Sequence, residues 1–289
     1  MTAISYKHIS VVQHNMGNGA TEPKFAMTDD NTPVVVKTNN CPEGNLILFN
    51  EYFCYRLAIL LDIKMPISGV CVIDNETAIY DNCVNANQLS LGFYSTYLHK
   101  STVLIPTIIN MMQNKEDFIK ILLFDHLIFN TDRNPGNLLV QYYKKNITLQ
   151  VIDHSHVFIN QAIWDANCLY RAMEEKDYFS TRILEDNNYL YDMFFKSMSL
   201  NSECLENVAK SFKTLVTKST LEHLISEIPK EWLPCQANID ALIEYLLYCK
   251  CQYKNVQKVE NKNVHFIPLN RPTGFLEKLS FLSACMTDL

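Results

Sequence analysis

The sequence predicts an α+β chain of two lobes, a small mixed α/β lobe followed by a larger, mostly helical one. Three observations predict it. Over the first ~100 residues, short β-rich runs bounded by polar turns flank one long apolar helix. In the middle, a polar loop leads into two strands around a tight turn. From Ile163 onward the apolar spacing is almost wholly helical. A chain of 289 residues is long enough for two domains or one two-lobed unit with a sizeable core. The boundary is expected between residues 85 and 105, which divides the chain into 1–95 and 96–289.

The elements follow in order. Lys24 to Met27, Pro33 to Thr38, Gly69 to Ile73 and Thr77 to Tyr80 read as strands. Residues 47–63, ILFNEYFCYRLAILLDI, read as a helix, because Phe49, Phe53, Leu57 and Leu60 recur at helical spacing. Gly44-Asn45 starts that helix and Pro66 is expected to stop it. A second helix is expected over Glu116 to Phe129. The loop NTDRNPGN follows, then LLVQYY, a turn at Lys144 to Asn146, and ITLQVID. Five further helices are expected at about 163–176, 186–199, 201–217, 219–228 and 236–254.

Composition narrows the function classes. Seven glycines are too few for a collagen-like or linker-rich chain. At 48% hydrophobic and 19% charged residues the chain is globular rather than disordered. The formal charge of −6 and the lack of a dense Lys/Arg block argue against direct DNA binding. Ten cysteines without a CxxC pair fit neither a disulfide framework nor a zinc site, and most read as small buried hydrophobes. MTAISYKHIS lacks the apolar core of a signal peptide. The longest apolar stretch, Ile119 to Phe129, is interrupted by Lys120, Asp125 and His126 and is too short for a transmembrane segment. A reducing, cytoplasmic setting is the expectation.

The chemistry concentrates between Asp132 and Asp153. Asp132 and Asn137 share one loop, and Asp153 ends the hairpin that follows. Phosphoryl transfer uses such a set. Divalent ions bridging nucleotide phosphates prefer hard carboxylate and amide oxygens, and another group must orient the attacking hydroxyl. Asp132 is then the base or orienter, and Asn137 and Asp153 are metal ligands. The same residue types also make ordinary turns, so composition alone leaves both readings open. Lys37 closes the apolar run TPVVVKT, and Glu51 lies 14 residues later on the 47–63 helix. They make either a buried pair that serves phosphates or a surface lysine and a solvated glutamate. In MGNGATEP, Gly17, Gly19, Ala20 and Thr21 are small enough for backbone N–H groups to approach phosphate; a plain turn is the alternative. Arg133 steadies the loop, meets a phosphate or sits at the surface. Asp125 braces the loop or faces solvent. His154 and His156 pack near Asp153 rather than forming a metal cluster with it.

FDHLIFNTDRNPGNLLV followed by VIDHSHVF resembles the catalytic core of the HipA-like kinases, distant relatives of protein kinases and phosphatidylinositol kinases. PVVVKTNN and LILFNEYFCYRLAILLDIKMPISG resemble the small lobe of that family. The resemblance runs from about residue 14 to 160. It implies a two-lobed protein-kinase-like fold that binds ATP and Mg2+ in its cleft. By motif, Asp132 matches the catalytic aspartate, Asn137 and Asp153 the metal ligands, and Lys37 the ATP-phosphate lysine; Glu51 is a looser match. His154-Ser155 stands where ordinary protein kinases carry Phe-Gly, so their switch is not expected. The extra N-terminal subdomain of full-length HipA toxins is not matched, which weakens any expectation of a DNA-binding antitoxin partner. The expected activity is transfer of the ATP γ-phosphate to a protein Ser or Thr, as a toxin or regulatory kinase. A lipid or small-molecule kinase and a non-catalytic nucleotide-binding module are the alternatives.

Overall fold

The computed structural model describes residues 6–17, 21–41, 43–80, 91–159, 163–176, 182–198 and 202–251. Its N-terminal part is a sheet curled on itself. β1 (Tyr6–Asn15), β2 (Lys24–Thr28), β3 (Pro33–Lys37), β4 (Ser68–Val72), β5 (Ala78–Ile79) and β6 (Leu91–Thr96) run in the order β2-β3-β6-β4-β1-β5. β2 also pairs with β1, which closes five strands into a small barrel. β1 makes closure possible because it changes partners along its length. Tyr6 to His8 run parallel to Val70 to Val72 of β4, whereas Ile9 to Asn15 run antiparallel to β2. Register shifts between Ile9 and Val11 and between Val12 and His14 bend it from one partner to the other. Ile9, Val12, Ala26, Val34, Val36, Cys71, Ile73 and Tyr94 fill the interior. The period of two along β3 therefore turns Val35 and Lys37 to the opposite face, toward the cleft.

The four strands expected from the sequence are β2 to β5. β1 and β6 carry weaker signals. YKHISVVQHN breaks its alternation where it bends, and β6 contains Gly92.

α1 (Asn45–Leu60) is the helix expected at 47–63. It is buried on nearly every side, as its unbroken apolar composition requires. Pro66 does not end it. Asp62 adopts a left-handed backbone (φ 54°), its N–H donates to the Ile59 carbonyl, and the Ile63 N–H donates to the Ala58 carbonyl. This double bond pattern satisfies the last carbonyls of the helix and reverses the chain four residues before the proline.

The C-terminal part is mainly helical. β7 (Ser101–Val103) pairs with β8 (Leu138–Tyr143), which forms the expected hairpin with β9 (Asn146–Val151). α2 (Pro106–Ile109) and α3 (Phe118–Leu127) lie between β7 and β8. α4 (Ala166–Glu174), α5 (Arg182–Asp186), α6 (Asn188–Ser197), α7 (Ser202–Leu215), α8 (Lys218–Ser226) and α9 (Gln236–Cys251) complete it. The two short helices, α2 and α5, are too brief for periodicity to reveal. The expected extension of the last helix to 254 lies outside the described residues. One continuous core joins α1 to the helices, with Phe118 stacked on Phe194 at 4.1 Å between ring centroids. The described cysteines are free thiols; Cys54, Cys71 and Cys249 are buried, but Cys235 and Cys251 are exposed, so burial accounts for only part of the set.

His8 ties three segments of the barrel. Its Nδ1 lies 2.9 Å from Asp29, and its Nε2 lies 2.9 Å from Asp74. Hydrogen bonding to Asp29 and then to Asp74 raises its pKa from 6.5 to about 9. A folded pKa above the unfolded one adds stability that is complete below the unfolded value and is lost as pH rises through the folded one. The Tm of the wild-type chain should therefore fall more between about pH 7 and pH 10 than that of His8→Gln. Equal falls in the two proteins would show that His8 does not contribute this way.

Candidate active site

Lys37 is the centre of the site. Its Nζ donates to Glu51 Oε1 at 2.5 Å, to Asp153 Oδ1 at 2.8 Å and to Ser155 Oγ at 2.9 Å. β3 delivers the lysine, α1 the glutamate, and the segment after β9 the other two. Lys37 and Glu51 are a buried pair, not a surface pair. Burial alone would lower the lysine's pKa, but Asp153 and Glu51 outweigh it and hold the ammonium charged. Burial pushes Asp153 up, and Lys37 more than reverses that, leaving it well below the usual carboxylate range. Burial raises Glu51 above its ordinary value. Gly92 helps to place the lysine. A Cβ there would meet the Lys37 carbonyl oxygen at 3.0 Å and Cys71 Sγ at 3.2 Å, so a larger residue would have to push β3 and β6 apart by a few tenths of an ångström. Asp153 has a left-handed backbone (φ 60°), a conformation Asp tolerates better than most residues.

The loop from Asn130 to Asn137 begins at an unusual helix end. α3 closes with Phe129 left-handed (φ 49°) and the Asn130 N–H donating to the Asp125 carbonyl at 2.8 Å. Asn130 Oδ1 then accepts from the Asp132 N–H at 2.9 Å. Asn137 Nδ2 donates to the Asp132 carbonyl at 2.6 Å, which leaves its Oδ1 as the atom to offer a cation. Asn134 caps the turn Pro135–Asn137 through the Gly136 N–H at 2.8 Å. The Asp132 side chain remains 54% exposed, with Oδ2 4.0 Å from His156 Nδ1.

Arg133 is neither a surface residue nor a phosphate ligand. It is 1% exposed, and its guanidinium grips Asp125 through Nε at 3.2 Å and Nη2 at 2.9 Å. Nη1 donates to the Ile152 carbonyl at 3.0 Å, just before Asp153. Nη2 also donates to His154 Nε2 at 2.9 Å. Burial and the neighbouring guanidinium hold His154 well below its usual pKa, so it is neutral and accepts this bond. From the far side, Asn187 Oδ1 accepts the Arg133 N–H at 2.8 Å, and Tyr191 Oη donates to Asp125 at 2.9 Å. The sequence left Asp125 and Arg133 open; here they form one buried brace under the loop. Asn187 and Tyr191 carried no sequence signal, and Ser155 stood out only in the His154-Ser155 pair that replaces Phe-Gly. Among the described residues, no group of His, Cys, Asp and Glu is placed to hold a metal by itself. His154 is held by Arg133 and lies edge-on to Phe124.

Gly17 is left-handed (φ 80°), a turn conformation that suits glycine, and Met16 bonds to Pro23 across the base of the β1–β2 loop at 2.8 Å. Thr21 is buried. Gly19 and Ala20 lie outside the described residues. A cavity of about 620 Å3 joins these parts. Lys37, Asn137 and Asp153 form its polar end; Val35, Phe93 and Leu139 line it elsewhere, and Ser95 to Leu98 follow one edge. A separate cavity of about 390 Å3, between α1, α3 and α7, contains none of these site residues.

A barrel-bearing lobe joined to a helical one, with a Lys–Glu–Asp cluster in a cleft, is the architecture of a kinase. The chain belongs to the HipA-like kinase family, whose model matches residues 9–264. Among solved structures, the Helicobacter pylori proinflammatory kinase CtkA is similar at a TM-score of 0.54 and 14% identity, over 86% of this chain and 94% of that one. The Golgi casein kinase with Mn/ADP bound aligns at 0.49 and 12% identity, over 87% of this chain and 72% of that one. HipA of Shewanella oneidensis MR-1, in complex with HipB and operator DNA, aligns at 0.44 and 11% identity, over 88% and 65%. No curated protein sequence matches the chain. No helix among the described residues is long and apolar enough to cross a membrane.

Proposed function

We propose that this kinase binds ATP with Mg2+ and transfers the γ-phosphate to a hydroxyl, in particular a Ser or Thr of a protein. The observation that carries the reading is the Lys37 ammonium held between Glu51 and Asp153, residues 14 and 116 positions away. The donor set suits magnesium. Asn137 offers an amide oxygen and Asp153 a charged carboxylate, both hard ligands on one side of the cleft. When bound, magnesium offsets charge that develops on the transferring phosphoryl group.

The chain's own residues do the rest. Lys37 gives the phosphates a fixed positive charge that Glu51 keeps in place. The loop from Gly17 through Gly19 and Ala20 to Thr21 supplies backbone N–H groups. The apolar walls and the Ser95–Leu98 edge take the base. Asp132, exposed beside the cleft, orients the acceptor hydroxyl and takes its proton. The family resemblance supports a Ser or Thr of a protein as the acceptor and a cytoplasmic setting for the kinase.

The test is label transfer from γ-labelled ATP to a protein mixture by the full chain with magnesium. Asp132→Ala should lower the rate by about 10²- to 10⁴-fold, the usual worth of a positioned base. No transfer together with no ATP binding would overturn the proposal. Transfer only to lipid or small-molecule acceptors in a parallel screen would reject the protein acceptor.

A further inference from the structure

We infer that Ser155 is a positioning residue, whose hydroxyl sets the arrangement of Lys37, Glu51 and Asp153. The inference rests on the kinase reading above and adds a residue to it. Ser155 is fully buried, so its hydroxyl is neither a phosphate acceptor nor a nucleophile for anything in solution. Its Oγ touches all three charged groups. It lies 2.7 Å from Glu51 Oε1, 2.8 Å from Asp153 Oδ1 and 2.9 Å from Lys37 Nζ. A hydroxyl has one proton and can accept two bonds. It accepts from the lysine and donates to one carboxylate at a time. The ammonium has three protons, and these three partners use all of them.

The backbone of Ser155 is held as firmly as its side chain. Its carbonyl accepts from Asn50 Nδ2 at 2.9 Å, and Asn50 Oδ1 accepts from Trp164 Nε1 at 2.9 Å. Trp164 packs against Phe49 and Phe158, with centroids 5.7 and 5.5 Å away. Two consecutive residues of α1, Asn50 and Glu51, thus grip one residue next to the proposed metal ligand. A glycine at position 155 would keep the carbonyl bond and lose the hydroxyl. Two carboxylates would then compete for one ammonium with no neutral group between them. Asp153 Oδ1 would keep its bond to Lys37 but lose the Ser155 bond that fixes how the carboxylate is turned toward a cation shared with Asn137.

The test uses the full chain and three variants: Ser155→Ala, Glu51→Gln and the double variant. Ser155→Ala should lower kcat/KM for ATP by about ten- to hundred-fold, the scale of a hydrogen bond to a charged group. It should also raise the magnesium concentration that gives half-maximal rate. Residues that act as a unit are not additive, so the double variant should be little worse than Glu51→Gln alone. A purely structural serine predicts a lowered Tm with kcat and magnesium saturation unchanged per folded molecule. That result would overturn the inference, as would full additivity in the cycle. If Ser155→Ala fails to fold, Ser155→Thr, which keeps the hydroxyl, should restore the magnesium response, and a Thr variant that folds without it refutes the role. A wild-type chain with no turnover on any acceptor would instead bring down the kinase reading, and this inference with it.

Discussion

Asp153→Ala is expected to abolish phosphoryl transfer and leave the chain folded. The side chain is 31% exposed, and its loss strands no buried charge, because Lys37 keeps Glu51 at 2.5 Å and Ser155 at 2.9 Å. The cost to stability is the left-handed backbone at φ 60°, worth about 1–2 kcal/mol for an ordinary residue. The cost to catalysis is larger. The proposed metal loses its charged ligand, and the several kcal/mol it contributes corresponds to about 10³-fold or more in rate. Asp153→Asn separates the two effects, since Asn tolerates the same backbone and removes only the charge. Rates at saturating ATP and magnesium, with circular dichroism as the folding control, decide it. Near-wild-type turnover in either variant would reject Asp153 as the metal ligand.

Asp125→Ala should have the largest effect on stability. It leaves the Arg133 guanidinium buried without a counter-charge, and Tyr191 without its acceptor. Breaking such a pair from one side costs about 3–5 kcal/mol, a large share of the ~5–15 kcal/mol that holds a typical domain together. Activity should fall with it, because Arg133 also holds the Ile152 carbonyl beside Asp153. Replacing both partners by apolar residues, as in Asp125→Leu with Arg133→Met, should cost less than Asp125→Ala alone, since no charge is then stranded. Denaturant unfolding of the three proteins measures this. An Asp125→Ala chain within about 1 kcal/mol of wild type would mean that the ion pair is not the brace described.

What the sequence made legible depended on distance along the chain. Asp132, Asn137 and Asp153 could be grouped because one loop and one hairpin connect them. Lys37 and Glu51 could be paired because a strand and the next helix carry them. Ser155, Asn187 and Tyr191 could not be tied to Lys37, Arg133 and Asp125, which lie 118, 54 and 66 residues from them in turn. The barrel was half legible for a related reason. β2 and β3 alternate cleanly, whereas β1 gives up its alternation to bend between two neighbours. Gly92 had no sequence explanation because the Lys37 carbonyl it accommodates is on another strand. Pro66 misled as a helix stop because the local bonds at Asp62 and Ile63 act first.

The brace beneath the Asn130–Asn137 loop also imposes an order in time. The N–H of Arg133 is taken by Asn187, and Asp125 is bonded by Tyr191. A growing chain that has emerged from the ribosome only as far as the β8–β9 hairpin already contains Asp132, Asn137, the Asp125–Arg133 pair and nearly all of the cleft, yet not the Asn187 and Tyr191 that hold the brace from its far side. The brace is complete only once α6 has been synthesised and docked, so the chain finishes seating this loop late in its making.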